Sequence, residues 1–359
     1  MNNHDKILAM FDRNSTEKPL ICVEMSGNHQ GSLDASLEFV RTAKAAGADL
    51  LKVQVYRPDT ITFKSDLPDF KLSGDNDWVD YGTLYELYEK AHTPWDWVAA
   101  IFDEGKKLDL PVFASPFDHT AVEFLQGLDC PFYKIASPEI TDHGLIGACA
   151  ATGKPVIIST GLANREDLDD AVKVVRGYET QLMILKCVSA YPTPIKDINL
   201  ATIPWLKEIY GCAVGLSDHT IGPEASFGAT ALGAAMIEKH FKLPGDTTSV
   251  DIAFSMPLDE LRHLKKSIAD IHAALGRATL DMPEKAKPSL SGRRSIYAVA
   301  DIGAGQPFTV DNIRSIRPSF GLSPKYLPSL LKAKAKRDIT AGERIAWDLV
   351  EGVETRHDY

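Results

Sequence analysis

Eight short runs of apolar residues recur along the first 241 positions, at 20–26, 50–56, 111–117, 132–137, 156–160, 183–189, 212–219 and 234–241. Between them lie longer stretches in which apolar side chains return every three or four positions, the period of an amphipathic helix. Several of the runs are almost continuously apolar, as strands covered on both faces are. Strand and helix alternating in this way predict parallel strands joined by crossover helices, and eight such units are the number that closes a (β/α)8 TIM barrel. An open doubly wound sheet shares the alternation. No GxGxxG or GxxxxGK[ST] opens any intervening helix, however, so dinucleotide and P-loop chemistry have no support. After the eighth run, Leu261, Leu264, Ile268, Ile271 and Leu275 form one apolar stripe, which predicts a last helix on the barrel wall.

The barrel is therefore assigned to 1–280. The text then changes to DMPEKAKPSLSGRR, rich in Pro, Lys and Ser, and 281–293 read as a linker. In the remaining 294–359, Asp301-Ile302 with Ala304-Gly305 recurs as Asp338-Ile339 with Ala341-Gly342, which predicts two similar β units, each with a turn at its AG pair. A β-rich domain of about 65 residues is small for a core of its own, so it is expected to lean on the barrel or on a partner subunit.

Composition narrows the classes. With 44% hydrophobic and 25% charged residues the chain is an ordinary globular protein. A net charge of −10 argues against nucleic acid, whose binding needs a basic face. Five scattered cysteines without a CxxC pair read as reduced thiols, and no run reaches about 18 apolar residues, so a soluble, cytoplasmic protein without a membrane segment is expected.

A barrel does its chemistry at the C-terminal ends of its strands, and here those ends are polar. The first run ends in Glu24-Met25-Ser26, the second carries Lys52 and Gln54 two apart on one face, and the third ends at Ser115. The fourth holds Lys134 and Ser137, the fifth ends in Ser159-Thr160-Gly161, and the sixth leads through Ser189 to Tyr191. Ammonium and hydroxyl donors around one cavity suit a small phosphate- or carboxylate-bearing anion. Ser217 with His219, and Glu238 with His240, project inward by twos from the last two strands. Two imidazoles on adjacent strand ends suit a divalent ion with open positions, and oxygen ligands from substrate and water favour Mn²⁺, Mg²⁺ or Co²⁺ over a closed zinc site.

These stretches resemble the sialic acid synthase family, enzymes that condense phosphoenolpyruvate with open-chain amino sugars to make nine-carbon nonulosonic acids. The motifs are EMSGNHQGS at 24–32, SPFD at 115–118, YKIAS at 133–137, STG at 159–161, YPTP at 191–194, GLSDHT at 215–220, EKHF at 238–241 and SIRPSFGLSPKY at 315–326. Within the family, EMSGNH, HTPW at 92–95 and RPSFGLSPKY resemble the branch that makes pseudaminic acid. That implies 2,4-diacetamido-2,4,6-trideoxy-altrose as the sugar. The N-acetylneuraminate and legionaminic acid branches, which more often begin with a GxNH form, are the alternatives. The resemblance implies that Lys52, Ser115, Lys134, Ser137, Ser159, Ser189 and Ser217 hold phosphoenolpyruvate and that His219 and His240 hold the metal. Glu24 falls on the acidic residue near the metal-bound water; Gln54, Tyr191, Asp251 and Arg317 fall on or near positions that bind the sugar or support the site. It further implies a C-terminal SAF, or antifreeze-like, domain that covers the partner's barrel mouth in a homodimer, with Arg317 as its substrate-contacting arginine. Two departures bear on the sugar: Ser189 stands where sialic acid synthases commonly have Asn, and KLPGDTTSVDIAFS lacks a glycine-rich DGGVD form.

Two rival functions share this chemistry. Lys134 could serve as the Schiff-base lysine of a pyruvate aldolase, or the chain could be a saccharide-binding module on an inactive barrel, since a fold alone confers no activity.

Overall fold

The computed structural model describes residues 3–74 and 78–353. Eight parallel strands close into a barrel in chain order: β1 (Leu20–Glu24), β2 (Leu50–Val55), β3 (Val112–Pro116), β4 (Tyr133–Ile135), β5 (Val156–Ser159), β6 (Leu182–Lys186), β7 (Ala213–Asp218) and β8 (Met236–His240), with β8 pairing back onto β1. Most strands stop short of the apolar run that predicts them. Ser26, Ser137, Ser189 and His219 thus leave the ladder and belong to the loops at the C-terminal rim. Helices begin where side chains can take up the free backbone N–H groups of a first turn: Ser32 caps Leu33–Ala46, Asp118 caps His119–Gly127 and Asn164 caps Arg165–Arg176.

One local expectation is corrected, and two local elements go beyond what the sequence predicted. The helix Leu258–Leu275 buries Leu261, Leu264 and Ile268, but Ile271 is only half-buried and Leu275 is exposed. At 18 residues it is about 27 Å long, longer than the strand layer it covers, so its last turn overhangs. Within 281–293 the chain forms a 3₁₀ helix over Glu284–Gly292. An N-terminal helix, Asn3–Phe11, was not foreseen; its Met10 and Phe11 are buried, and Phe11 meets Phe132 edge-on at 5.6 Å.

The chain divides into two compact units, Met1–Gly276 and Arg277–Tyr359. The second has an apolar core that includes Ile296, Phe308, Ile313, Ile339 and Ile345, and its strands β9 (Ser295–Ala298) and β10 (Ile313–Ile316) are antiparallel. The repeated sequence makes a reciprocal contact. Ile302 and Ile339 exchange both backbone hydrogen bonds at 2.8 Å, Ala304 N donates to Asp338 Oδ1 at 2.7 Å, and Ala341 N donates to Asp301 Oδ1 at 2.8 Å. Gly305 and Gly342 sit at φ 80° and 95°, where a side chain would be strained. Among the described residues no helix is long and apolar enough to cross a membrane.

Candidate active site

Barrel closure sets Glu24 beside Lys52 on one side and His240 on the other, and Ser217 beside Glu238. The side chains converge. Lys52 Nζ lies 3.2 Å from Glu24 Oε2 and 3.0 Å from Glu238 Oε1, and Lys134 Nζ lies 3.5 Å from Glu238 Oε1. Ser217 Oγ donates to Glu238 Oε1 at 3.0 Å, while Gln54 Nε2 donates to Glu24 Oε1 at 3.2 Å and to Ser26 Oγ at 3.0 Å. All four charged side chains are buried, where an isolated charge would be neutralised, so each depends on the others.

The sharing is uneven. Burial alone would raise Glu238, but Lys134 and Lys52 outweigh it and hold this carboxyl at about 2. Burial raises Glu24 to about 7; Lys52 opposes the rise and Glu238 reinforces it. Lys52 is driven up, because its two carboxylates overcome the burial that would lower it. Burial lowers Lys134, which Glu238 only partly offsets and the Lys52 charge deepens. With its carboxyl raised toward neutrality, Glu24 offsets the two ammonium groups only in part, so the cavity floor leans positive toward an anion while Glu24 can still take up a proton.

The hydroxyl ring surrounds this floor. Ser115, paired in register with Gln54, and Ser159, at the end of β5, have buried Oγ atoms without a hydrogen-bond partner in the chain. An unmet buried hydroxyl costs about 1–3 kcal/mol, so two of them beside a cationic floor indicate donors reserved for a ligand. Ser137 Oγ accepts Gly161 N–H at 3.0 Å. A Cβ at Gly161 would lie 2.2 Å from Ser189 Oγ, 2.7 Å from Ser137 Oγ and 2.9 Å from Cys187 Sγ, so only glycine lets these three side chains meet there.

His219 and His240 face one another, ring centroids 5.4 Å apart. His219 Nδ1 lies 3.0 Å from Val188 O, and since a carbonyl only accepts, the proton is on Nδ1 and the lone pair on Nε2. His240 Nδ1 is buried without a hydrogen-bond partner, its nearest carboxylate, Asp251 Oδ2, being 3.8 Å away. Burial, together with His219 and Lys52, pushes His240 well down, keeping the ring neutral as a metal ligand must be. Cys187 Sγ, 3.9 Å from His219 Nδ1, draws His219 upward against burial, so a cation and a proton compete for that ring. No group of three or more His, Cys, Asp or Glu arranged for a metal occurs among the described residues. The donor set fits an ion that takes two nitrogens from the protein and oxygens from substrate and water.

Aromatic rings cover the imidazoles. Tyr191 lies 4.4 Å from His219, Phe254 lies 4.9 Å from His240, and Trp78 joins both, at 5.3 Å from Tyr191 and 6.3 Å from Phe254. Asn28 ties the loop after β8 in place: its Nδ2 donates to Phe241 O and Ser255 Oγ, and its Oδ1 accepts Asp251 N–H at 3.2 Å. Asp251 is thereby held beside His240 and Gly27, its carboxyl raised by burial.

Of the residues singled out from sequence, thirteen lie in the first unit. Glu24, Lys52, Gln54, Lys134 and Ser217 meet in the charged floor; Ser115, Ser137, Ser159 and Ser189 belong to the hydroxyl ring; His219, His240, Tyr191 and Asp251 form the imidazole side. Arg317 lies in the second unit, in a groove with Arg293 and Arg294. Glu238 was turned inward from the sequence but given no role, although it is the shared counter-ion; two inward lysines with Glu24 as the one carboxylate assigned a role were the signal for it. Gly161, Cys187, Trp78 and Phe254 were also missed.

The chain matches the NeuB family over residues 39–279 and the SAF domain over 293–351. A pseudaminic acid synthase of Campylobacter jejuni is 43% identical over 333 residues, covering 92% of this chain and 96% of that protein. An N,N'-diacetyllegionaminic acid synthase of the same species is 30% identical over 337 residues, covering 92% and 99%. Among solved structures, the N-acetylneuraminic acid synthetase of Leptospira borgpetersenii superposes with a TM-score of 0.67 at 28% identity, over 78% of this chain and 92% of that one.

Proposed function

The chain belongs to the NeuB family, and from that premise we infer that it condenses phosphoenolpyruvate with 2,4-diacetamido-2,4,6-trideoxy-altrose, releasing pseudaminic acid and phosphate. The observation that carries the reading is the cationic floor ringed by unpartnered Ser115 and Ser159 hydroxyls, set beside paired imidazoles. The greater identity to a pseudaminic than to a legionaminic acid synthase supports the choice of sugar.

In the reaction C3 of phosphoenolpyruvate attacks the sugar aldehyde carbon, positive charge develops at C2, water adds there, and the tetrahedral carbon expels phosphate by C–O cleavage. Lys52, Lys134 and the serine hydroxyls fix the phosphate and carboxylate oxygens, and Glu24, with its pKa near neutrality, is suited to take the proton of the water adding at C2. The carboxylates of the floor also stabilise the charge at C2. His219 and His240 would hold a divalent ion, Mn²⁺, Mg²⁺ or Co²⁺, which supplies Lewis-acid polarisation of the aldehyde. Trp78, Tyr191 and Phe254 offer an apolar wall for the 6-deoxy and acetamido methyl groups. Arg317 would meet the sugar from the partner in a homodimer, as the family resemblance implies. Free phosphoenolpyruvate and buried, reduced cysteines suit the cytoplasm.

Phosphoenolpyruvate labelled with ¹⁸O in the bridging position should deliver the label to inorganic phosphate. A phosphate-release assay should favour the altro sugar over manno- and gluco-configured analogues. Label retained in the sugar product would exclude C–O cleavage, and equal rates would exclude the assigned specificity. Gly161→Ala should weaken phosphoenolpyruvate binding by at least about tenfold, because its methyl displaces Ser137 and Ser189; calorimetric affinity unchanged from wild type would remove those serines from the site. The Schiff-base reading has one observation in its favour, the lowered Lys134. Borohydride treatment with pyruvate should leave the chain unmodified, whereas a stable adduct on Lys134 would establish that rival chemistry.

A further inference from the structure

Behind the two histidines, on the helix-facing side of the barrel, lies a second buried ion pair. Asp218 ends β7 and is paired in register with Lys239 of β8, and Lys239 Nζ lies 3.2 Å from Asp218 Oδ2. Strand alternation turns both away from Ser217, Glu238 and His240, which face the cavity. The two side chains are at most 1% exposed. Ser226, from the helix Glu224–Ala231, donates its hydroxyl to Asp218 Oδ2 at 2.7 Å. Thr220 donates its backbone N–H at 2.9 Å and its hydroxyl at 2.7 Å to Asp218 Oδ1, and Lys239 donates to Thr220 O.

A buried ion pair is a poor device for stability alone, because well-packed apolar residues at such positions serve as well or better. What this pair does that an apolar pair cannot is fix directions. Asp218 and Lys239 grip residue 220 through its N–H, hydroxyl and carbonyl, so the backbone on both sides of His219 is held. Lys239 immediately precedes His240, and Asp218 immediately precedes His219. We propose that the Asp218–Lys239 pair, with Thr220 and Ser226, is a positioning device that sets the two imidazoles at the separation and tilt a divalent cation requires. The anion-binding floor lies on the other face of the strands and does not depend on it.

The inference rests on the metal reading above, and the test separates the two. Mn²⁺ binding to the full chain is measured by the loss of its free-ion paramagnetic resonance signal, alongside phosphoenolpyruvate affinity by calorimetry without metal. Asp218→Asn keeps the shape but loses the charge that orients Lys239. It should weaken Mn²⁺ binding about 10–100-fold, the range for groups that orient metal ligands. Phosphoenolpyruvate affinity should stay within about twofold, and saturating Mn²⁺ should restore most of kcat. The double variant Asp218→Leu with Lys239→Met replaces the pair by apolar side chains. It orphans the buried Thr220 and Ser226 groups, so it should unfold at a lower temperature than wild type, and in the folded state at about 25 °C it should bind Mn²⁺ at least about tenfold more weakly. Ser226→Ala, which deletes a single hydrogen bond, should weaken Mn²⁺ only a few-fold. Wild-type Mn²⁺ affinity in the folded double variant, or in Asp218→Asn, would overturn the positioning role and leave the metal site intact. Failure of the wild-type protein itself to bind Mn²⁺ would instead overturn the metal reading, and the positioning role with it.

Discussion

Lys52→Met is expected to lose phosphoenolpyruvate binding and much of the protein's stability together, and to recover stability as the pH is lowered. Lys52 stands between Glu24 and Glu238, at 3.2 Å and 3.0 Å, with both carboxylates buried. Removing one partner of a buried ion pair leaves the other uncompensated, at a cost of about 3–5 kcal/mol. The same loss takes one of two ammonium groups from the anion floor, so affinity for phosphoenolpyruvate should fall at least about a hundredfold. The pH dependence follows from the carboxyls. In the wild type, Glu238 is held at about 2, below its ordinary 4.5, so its contribution to stability is complete above 4.5 and is lost only as the pH falls through 2. Glu24, raised to about 7, has the opposite sign: its burial weighs against folding above 7 and ceases to do so as the pH falls toward 4.5. Without Lys52 both carboxyls move upward, and the penalty of the second kind grows. Urea unfolding should therefore show a gap between variant and wild type that is wide at pH 8 and narrows toward pH 5. A gap independent of pH would mean that the lysine acts through packing of its chain rather than its charge.

His219→Ala should abolish turnover, by at least about a thousandfold, while the barrel stays folded. His219 follows the last residue of β7, its ring bonded to Val188 O and packed on Tyr191, so its loss removes one nitrogen donor and leaves the strands intact. A two-nitrogen site that loses one of its nitrogens holds a divalent ion far more weakly, and the aldehyde loses its polarisation. Phosphoenolpyruvate should bind as before, since Lys52, Lys134 and Ser217 are untouched. The comparison to make is phosphate release across a Mn²⁺ titration, with circular dichroism as the check on folding. Wild-type turnover in metal-free buffer, with either protein, would remove the Lewis-acid role. Because a proton competes with the cation at His219, wild-type Mn²⁺ affinity should rise with pH.

Much of this site was legible along the chain because the information is local. Side-chain direction in a strand repeats every two residues, so Ser217 with His219 and Lys52 with Gln54 could be turned inward without knowing what they meet. The same rule placed Glu238 inward but gave it no role, since nothing nearby in sequence shows that one carboxylate will be shared by lysines from β2 and β4. Gly161 falls in the STG motif, yet nothing along the chain says what it does. Its importance lies in the atoms of Ser137, Cys187 and Ser189 that crowd it, and these come from two other loops. Trp78 and Phe254 were invisible for a similar reason: the indole of Trp78 reaches Val250 O at 3.3 Å across 172 positions of chain.

The number of the strands, the polar character of their C-terminal ends and the paired AG turns were determined by the sequence alone, because each is a pattern over a few neighbouring residues governed by strand period and turn chemistry. Only the tertiary structure decided which charges neutralise which, where the strands stop, and that Asp218 and Lys239 join behind the histidines. Those outcomes depend on the closing of β8 onto β1 and on loops that meet across the mouth. Burial then makes the charge on Lys52 and Lys134 conditional on Glu238, a partner far along the chain.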